Sequence, residues 1–176
     1  MVLAVAGNHV TNDIAIGLRI MKHEAERIKK RYGFAISSLV ETEELVEVEM
    51  MHGEDLQVVR LSDLVLIIES RMRELFSLIN QEIQTHKLQQ FMTNGIVLTG
   101  GGSLLTGARE LAEEIFDCPV RIGKPRVLFD LVETLQSPLY ATGYGLLVHV
   151  LLQEKRVRMH LEQEPLARRV FERMKL

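Results

Sequence analysis

The stretch NGIVLTGGGSLLTGARELAEEIF, residues 94–116, constrains the fold of this chain more than any other feature. An apolar run meets three consecutive glycines, Gly100, Gly101 and Gly102, and a serine follows before an amphipathic helix pattern begins. Because each glycine costs conformational entropy on folding, three in a row need a physical reason. A strand, a glycine turn and a helix N-terminus form a platform for an anion or a nucleotide, since no Cβ keeps the ligand from the backbone.

Two common phosphate-binding motifs do not fit this platform. The dinucleotide fingerprint G-x-G-x-x-G requires a glycine where Leu105 stands. A Walker loop requires lysine and then serine or threonine after its second glycine, whereas Ala108 and Arg109 follow Gly107. Two interpretations remain, a nucleotide platform of another kind and a tight strand-to-helix turn that holds no ligand. Three glycines directly after a strand favour the first.

Composition excludes several other classes of protein. The 176 residues are 47% apolar and 26% charged, an ordinary globular balance, and the net charge of −3 argues against a nucleic-acid partner. Cys118 is the only cysteine, so no internal disulfide forms and a reducing compartment is expected. The longest apolar run, residues 138–152, is too short to span a bilayer. The histidines are scattered, so the spacing predicts no metal site.

Hydrophobic periodicity and turn residues predict the order of the elements. Residues 2–6 predict a short strand, and we expect it to be the last strand of a unit that begins earlier in a longer chain. A helix follows, with Thr11 or Asn12 as its cap, and a second helix ends at Gly33, where a left-handed residue is expected.

Further along the chain, alternation at residues 45–50 and 56–61 predicts a β-hairpin, and a long helix runs from Ser62 to about His86. The glycine platform then contributes a strand at residues 96–99 and the next helix. The sequence then predicts a short strand at 120–123 and a helix in the stretch 137–153, with Pro138 as a favourable first helical residue. The last predicted element is a charged helical end that is interrupted at Pro165.

The motif GIVLTGGGSLLTG resembles the adenosine motif of the actin-like ATPases, and above all that of the FtsA family of bacterial cell-division proteins. The stretches GNHVTNDIAIGLR, AERIKKRYG, LAEEIFDCPVRIGKP, SPLYATGYGLL and RRVFERMK resemble other segments of that family in the same order. The resemblance implies an α/β chain, the second lobe of the actin-like ATPase (ribonuclease H-like) fold, with a small α+β subdomain containing a β-hairpin. Residues 1–7 and 94–152 would form part of subdomain 2A, residues 8–93 subdomain 2B, and residues 153–176 a charged amphipathic tail.

The resemblance also implies a site for ATP or ADP. Gly100 to Ser103 would back the adenosine, and Glu26 and Lys29 would reach the ribose and base from subdomain 2B. Their i,i+3 spacing places these two side chains on one helix face, although a solvated salt bridge is the alternative. The family's Asp-Gly phosphate motif and Asp-Gly-Gly-Gly-Thr hairpin do not occur in this sequence, and Ala6-Gly7 replaces a Gly-Gly pair. We therefore expect weak nucleotide binding and no hydrolysis, with no catalytic residue and no Mg²⁺ ligand among these residues.

A partner site is implied on the long helix. The family binds the acidic and apolar tail of FtsZ through subdomain 2B, and Arg71 falls at the family's basic contact, with Arg73 and Glu74 beside it. A planar guanidinium suits carboxylates, while the alternative is a helix surface with ordinary charges.

The end of the chain has the pattern of a basic amphipathic helix, which is typical of a membrane-surface or partner-helix segment. Its apolar face would contain Leu166, Val170, Phe171 and Met174. The aromatic residues that usually extend the family's anchor are not present in this sequence, so we expect weak membrane affinity, and docking on the protein body is the alternative. The implied location is the cytoplasmic face of the inner membrane at the division septum.

These features together predict a cell-division scaffold that binds the FtsZ tail, supplies the adenosine side of an ATP cleft, and self-associates into filaments or dimers. The alternatives are a piece of another actin-like protein, either an MreB-like filament protein or a sugar-kinase-type enzyme, and an interaction module without nucleotide.

Overall fold

The computed structural model describes residues 3, 5–40, 44–50, 56–126 and 133–163. The chain divides into two units, Met1–Gly123 and Lys124–Leu176. The predicted subdomain boundaries at residues 7, 93 and 152 stay a prediction. The elements of the first unit are α1 (Gly7–Leu18), α2 (Lys22–Tyr32), β1 (Leu45–Glu49), β2 (Leu56–Arg60), α3 (Leu61–Thr85), β3 (Ile96–Leu98), α4 (Ala108–Phe116) and β4 (Val120–Ile122).

The predicted β-hairpin is confirmed. Strands β1 and β2 pair antiparallel, with Leu45 opposite Arg60 and Glu49 opposite Leu56. Val46 and Val48 are buried while their neighbours along β1 are exposed, as the alternating sequence requires of a sheet with one covered face. The hairpin leads directly into α3, the predicted long helix.

Helix α3 forms the centre of the first unit. Its buried side chains recur every three or four residues and so lie on one face; they are Leu61, Leu64, Val65, Ile68, Met72 and Phe76. Helix α1 packs Val10 and Ile14 into the same core, and the rings of Phe76 and Phe116 lie 5.7 Å apart where α4 meets α3. Burial of this shared apolar face holds α1 and α4 to α3.

The glycine-rich stretch forms a strand–turn–helix–strand unit. Strands β3 and β4 run parallel, with Ile96 opposite Val120, and α4 makes the crossover that a parallel pair requires. A 3₁₀ turn, Gly101–Leu104, lies between β3 and α4. Thr99 Oγ1 donates to Gly123 O at 3.0 Å and fixes the end of β3 to the end of β4.

Three local predictions are wrong. Helix α1 begins at Gly7, several residues before the expected caps. At this start His9 Nδ1 accepts a hydrogen bond from Ala6 N at 3.2 Å and satisfies the backbone N–H of the residue that precedes the helix. Gly33 is extended, with φ −78°, rather than left-handed, since the chain leaves α2 towards the segment after the glycine turn. The described positions Leu3, Val5 and Ala6 form no strand, and no strand of the described part of the chain pairs with them.

The second unit is described at residues 124–126 and 133–163 and is dominated by α5 (Ala141–Gln163). Ser137 Oγ accepts from Leu139 N at 3.4 Å, and Pro138 opens a 3₁₀ turn that leads into α5. The predicted tail contacts Leu166, Val170, Phe171 and Met174 lie outside the described residues. Within the described ranges, no helix has both the length and the apolar character needed to cross a membrane.

Candidate functional site

A cavity of about 540 Å³ lies beside the glycine turn in the first unit. Three segments line it: the start of the chain and of α1, one face of α3, and the glycine turn. The lining residues are Leu3, Val5, Ala6, Gly7, Met72, Leu75, Phe76, Ile79 and Leu98 to Ser103. Its volume falls within the range of about 300–1,000 Å³ that is typical of small-molecule sites.

The glycine turn presents bare backbone to this cavity. Gly100 has φ 87° and ψ 172°, a region that only glycine adopts without strain. A Cβ placed on Gly100 or Gly102 would meet no atom within 4 Å, so neighbouring side chains do not fill the bend. Ser103 N and Oγ donate to Gly100 O at 3.2 and 2.8 Å, and these bonds hold the turn in its shape.

The cavity is apolar. Met72, Leu75, Phe76 and Ile79 follow the spacing of a single helix face and form the wall that α3 contributes. Among the described lining residues none carries a charged side chain. The lining therefore suits a flat, weakly polar ring and supplies no side-chain charge to phosphate groups.

The residues that follow α2 are hydrogen-bonded to the residues that follow the glycine turn. Ala35 N donates to Thr106 O at 2.7 Å, and Phe34 and Thr106 form a parallel bridge. The approach is close, since a Cβ on Gly33 would lie 2.2 Å from Lys29 O and 2.9 Å from Leu105 Cδ2. The nearer of these atoms belongs to α2 itself, so glycine is needed at position 33 both at the end of its own helix and where Leu105 approaches.

The structure brings Glu26 and Lys29 together on one face of α2, as their spacing predicts. Lys29 Nζ lies 2.6 Å from Glu26 Oε2, 2.7 Å from Thr11 Oγ1 and 3.3 Å from Gly7 O. Gly7 lines the cavity, but neither Glu26 nor Lys29 is among the described lining residues. The pair thus borders the site through the first turn of α1.

The environment of Glu26 favours its charged form. Burial opposes that charge, but hydrogen bonds from Lys29, Thr11 and Lys30 outweigh it and lower the pKa of Glu26 from 4.5 to about 2. The Glu26 carboxylate is therefore charged at neutral pH.

The three residues predicted to bind a partner separate into two groups. Arg71 bridges α3 to α1, with Nη2 donating to Asp13 Oδ1 at 3.0 Å, and its Nη1 donates to Glu74 Oε2. Arg73 points towards α4, where it lies 2.7 Å from Glu114, and its Nε donates to Glu69 at 2.8 Å. Arg71 and Glu74 lie together, and Arg73 faces a different helix.

Sequence reasoning missed two features of the site. Thr11 was considered only as a helix cap, yet its hydroxyl lies between Glu26 and Lys29. The apolar positions of α3 were recognised by their period, but periodicity cannot separate a residue that lines a cavity from one that fills a core. In the described ranges, no three His, Cys, Asp or Glu side chains gather closely enough to hold a metal ion.

Comparison with known proteins gives consistent results. A family model described as "Cell division protein FtsA" matches residues 1–145. The chain is 39% identical over 153 residues to cell division protein FtsA of Pseudomonas aeruginosa, covering 87% of this chain and 37% of that protein. It is also 39% identical over 153 residues to FtsA of Escherichia coli K12, covering 83% of this chain and 36% of the relative. The chain therefore spans little more than a third of the length of these relatives.

The fold has a solved counterpart. The crystal structure of MreB5 of Spiroplasma citri bound to ADP superimposes with a TM-score of 0.62 at 19% sequence identity, covering 92% of this chain and 48% of MreB5. At this identity the similarity establishes the fold alone. The predicted lobe of an actin-like fold is confirmed.

Proposed function

The chain belongs to the FtsA family of cell-division proteins, and we propose from this that it acts as a scaffold in division-ring assembly. In this role it binds the tail of FtsZ and supplies the adenosine side of a nucleotide cleft. Because the chain spans about a third of its relatives, each of these activities is a proposal for these residues and needs its own test.

The observation that carries the nucleotide proposal is the bare backbone of the glycine turn at the wall of an apolar cavity. Gly100 and Gly102 leave room where a Cβ would stand, so a purine ring can lie flat against the backbone at this surface. The residues therefore fit the adenosine of ADP or ATP, with Gly100 to Ser103 behind it and Glu26 and Lys29 approaching from α2. The MreB5 relative in fold is described as bound to ADP, which supports the same ligand class here.

The same lining indicates weak affinity and no turnover. Phosphoryl transfer depends on groups that position and neutralise phosphate charge, and the described lining contributes no charged side chain, only the hydroxyls of Thr99 and Ser103 and backbone dipoles, including the N-terminus of α1 at Ala6 and Gly7. Adenosine contacts thus account for the binding that these residues provide.

Gly102→Ala tests this proposal with little risk to the fold. The added methyl meets no protein atom within 4 Å, so stability should hold, while the methyl occupies space at the cavity wall. We expect ADP affinity, measured by NMR titration, to fall by at least about tenfold, equivalent to about 1.4 kcal/mol. Gly143→Ala in α5 is the matched control, since a Cβ there also meets no atom within 4 Å and Gly143 does not line the cavity. Equal affinities for the two variants would contradict the site.

We propose Arg71 as the contact for the acidic FtsZ tail, with Glu74 and Arg73 flanking it. The support is position, since the Arg71 side chain is partly exposed on α3 and carries a positive charge that an acidic peptide can reach. In the free protein the Arg71 guanidinium is hydrogen-bonded to the Asp13 carboxylate, which therefore competes with an incoming carboxylate.

This competition gives a two-sided experiment with a labelled FtsZ tail peptide. Arg71→Glu should weaken peptide binding strongly, and Asp13→Asn should strengthen it, because the guanidinium then lacks its internal carboxylate. Arg109→Glu is the control, as Arg109 is an exposed arginine on α4 that pairs with its neighbour Glu110. Peptide affinities that are the same for all three variants would remove Arg71 from the partner site.

The second candidate function is an interaction module without nucleotide. One observation favours it, namely that Lys29 is bonded to Glu26, Thr11 and Gly7 and is not itself among the described residues that line the cavity. Failure of ADP to bind, together with normal binding of the FtsZ peptide, would establish this alternative.

The family also suggests peripheral contact with the inner membrane through the tail. We propose that Leu166, Val170, Phe171 and Met174 insert at the lipid surface while the neighbouring basic residues contact anionic headgroups. Co-sedimentation with anionic vesicles, compared between the wild type and Phe171→Glu, tests this role, and equal weak binding would exclude it.

A further inference from the structure

Thr11 is the buried centre of the cluster beside the cavity. Its residue is 1% exposed, and its Oγ1 lies 2.7 Å from Lys29 Nζ, 2.5 Å from Glu26 Oε2 and 3.2 Å from Gly7 O. One hydroxyl therefore touches both predicted nucleotide contacts and the backbone of a residue that lines the cavity.

The direction of these bonds follows from the proton count. A hydroxyl has one proton to donate, and a lysine ammonium has three and cannot accept. Lys29 must therefore donate to Thr11, which leaves the Thr11 proton for either Glu26 or Gly7. The shorter, charge-assisted contact with the Glu26 carboxylate takes it.

By the same count, every N–H donor of the Lys29 ammonium has an acceptor within the protein. Its three N–H donors match three acceptors, Glu26 Oε2, Thr11 Oγ1 and Gly7 O, and its side chain is only 11% exposed. Glu26 keeps Oε1 on the outer side, where Lys30 lies 3.2 Å away. The hydroxyl thus fixes the position of both charged groups against the first turn of α1.

We propose that Thr11 is a positioning residue of the nucleotide site, holding Glu26 and Lys29 against the α1 turn that borders the adenosine cavity. This inference rests on the proposed nucleotide function. It assigns Thr11 a role that acts through Glu26 and Lys29 and not through contact with the ligand.

Thr11→Val and Thr11→Ser test the role of the hydroxyl in the full 176-residue chain. Valine keeps the branched shape and removes the hydroxyl, whereas serine restores it. We expect Thr11→Val to lower ADP affinity by about fivefold to tenfold, the lower range of measured couplings between sites, and Thr11→Ser to recover most of the loss. A carboxyl NMR titration should also show a higher pKa for Glu26 in Thr11→Val than in the wild type.

Val10→Ala controls for general loss of packing, because Val10 is a buried neighbour on α1 that has no hydroxyl. If Thr11→Val and Val10→Ala weaken ADP binding equally, the effect is structural and the positioning role is overturned. If Thr11→Val binds ADP as the wild type does while Glu26→Ala binds it weakly, Thr11 has no such role and the proposed function stands. If the wild type binds no ADP, the proposed nucleotide function and the role of Thr11 both fail.

Discussion

Glycine occurs at positions 33, 100 and 102 for different physical reasons. At Gly33 a side chain would collide with the backbone of Lys29, although the backbone angles there are ordinary. At Gly100 the space is open, but the positive φ disfavours any side chain. At Gly102 neither restriction applies, and the proposed reason for the absence of a side chain is contact with a ligand in the cavity. Substitutions at these three positions therefore test the effects of packing, backbone strain and ligand contact separately.

Gly33→Ala should destabilise the protein by about 1–3 kcal/mol, the cost typical of overpacking a tight contact. The added Cβ would lie 2.2 Å from Lys29 O, so either α2 or the segment at Leu105 must move. Urea denaturation followed by circular dichroism measures the change in the free energy of unfolding. Gly102→Ala is the control, and a Gly33→Ala variant as stable as this control would contradict the close approach.

Glu26 should make stability depend on acid pH. Its pKa is about 2 in the folded protein and 4.5 ordinarily, so the unfolded chain binds the proton more readily. Its contribution is fully present above pH 4.5 and is lost as pH falls through this range towards 2. The difference in unfolding free energy between wild type and Glu26→Gln should therefore be largest near neutral pH and shrink in acid. A difference that is constant between neutral pH and about pH 2.5 would contradict the lowered pKa.

At the scale of elements, α3 organises the first unit through both its faces. Its apolar side packs against α1 and α4 and provides the cavity wall, while its arginines tie it to the same two helices. Arg71 reaches α1 through Asp13, and Arg73 reaches α4 through Glu114. The partner-binding surface predicted on α3 is therefore also a set of links between helices.

Arg73→Ala should destabilise the protein by about 1–3 kcal/mol, because it removes a charged partner from the Glu69 carboxylate. Glu69 is 8% exposed, and without Arg73 it would keep its hydrogen bonds from Ser37, whose backbone N donates at 2.7 Å, but no charged partner from α3. Arg109→Ala, which removes an exposed pair with Glu110, should leave the stability almost unchanged.

Thermal denaturation of both variants against the wild type measures this difference. Equal small losses would show that Arg73 is an ordinary surface charge. In that case the α3–α4 contact would rest on apolar packing alone, and Arg73 would be free to serve a partner.

At the scale of the whole molecule, several of the exposed large apolar side chains lie on one helix, α5. Its Leu146, Leu147, Val150, Leu151 and Leu152 are each at least half exposed within the described structure. Leu147 and Leu151 are one turn apart and so lie on the same face of the helix. A contiguous apolar patch of this kind marks an interaction surface.

We expect the chain to self-associate as its concentration rises, and the double variant Leu147→Glu with Leu151→Glu to remain monomeric. Two introduced charges would have to be desolvated in any apolar contact that covers this face. Sedimentation velocity over a range of concentrations measures the effect. A wild type that stays a monomer at every concentration would contradict the expectation, and Leu66→Glu, which changes an exposed leucine on α3, controls for added charge.

Much of the fold could be predicted because its signals are local. The hairpin, the long helix and the strand before the glycines follow from residue alternation and helical period, and the structure confirms them. The family and the actin-like fold were also predicted from ordered motifs, and both are confirmed. The start of α1 was predicted wrongly because Thr11 and Asn12 are good caps in isolation. In the structure the helix starts earlier, where His9 accepts a hydrogen bond from Ala6 N.

The sequence by itself determined the family, the order of most elements and the glycine turn, since these depend on residues a few positions apart. Only the tertiary structure decided which side chains meet across the chain. Arg71 pairs with Asp13 at a separation of 58 residues, and Arg73 pairs with Glu114 at 41. Likewise the clash that requires Gly33 arises partly from Leu105, and the role of Thr11 depends on α2 lying against α1. Periodicity sets the face of a helix, but the packing of helices against one another selects the partner that each face meets.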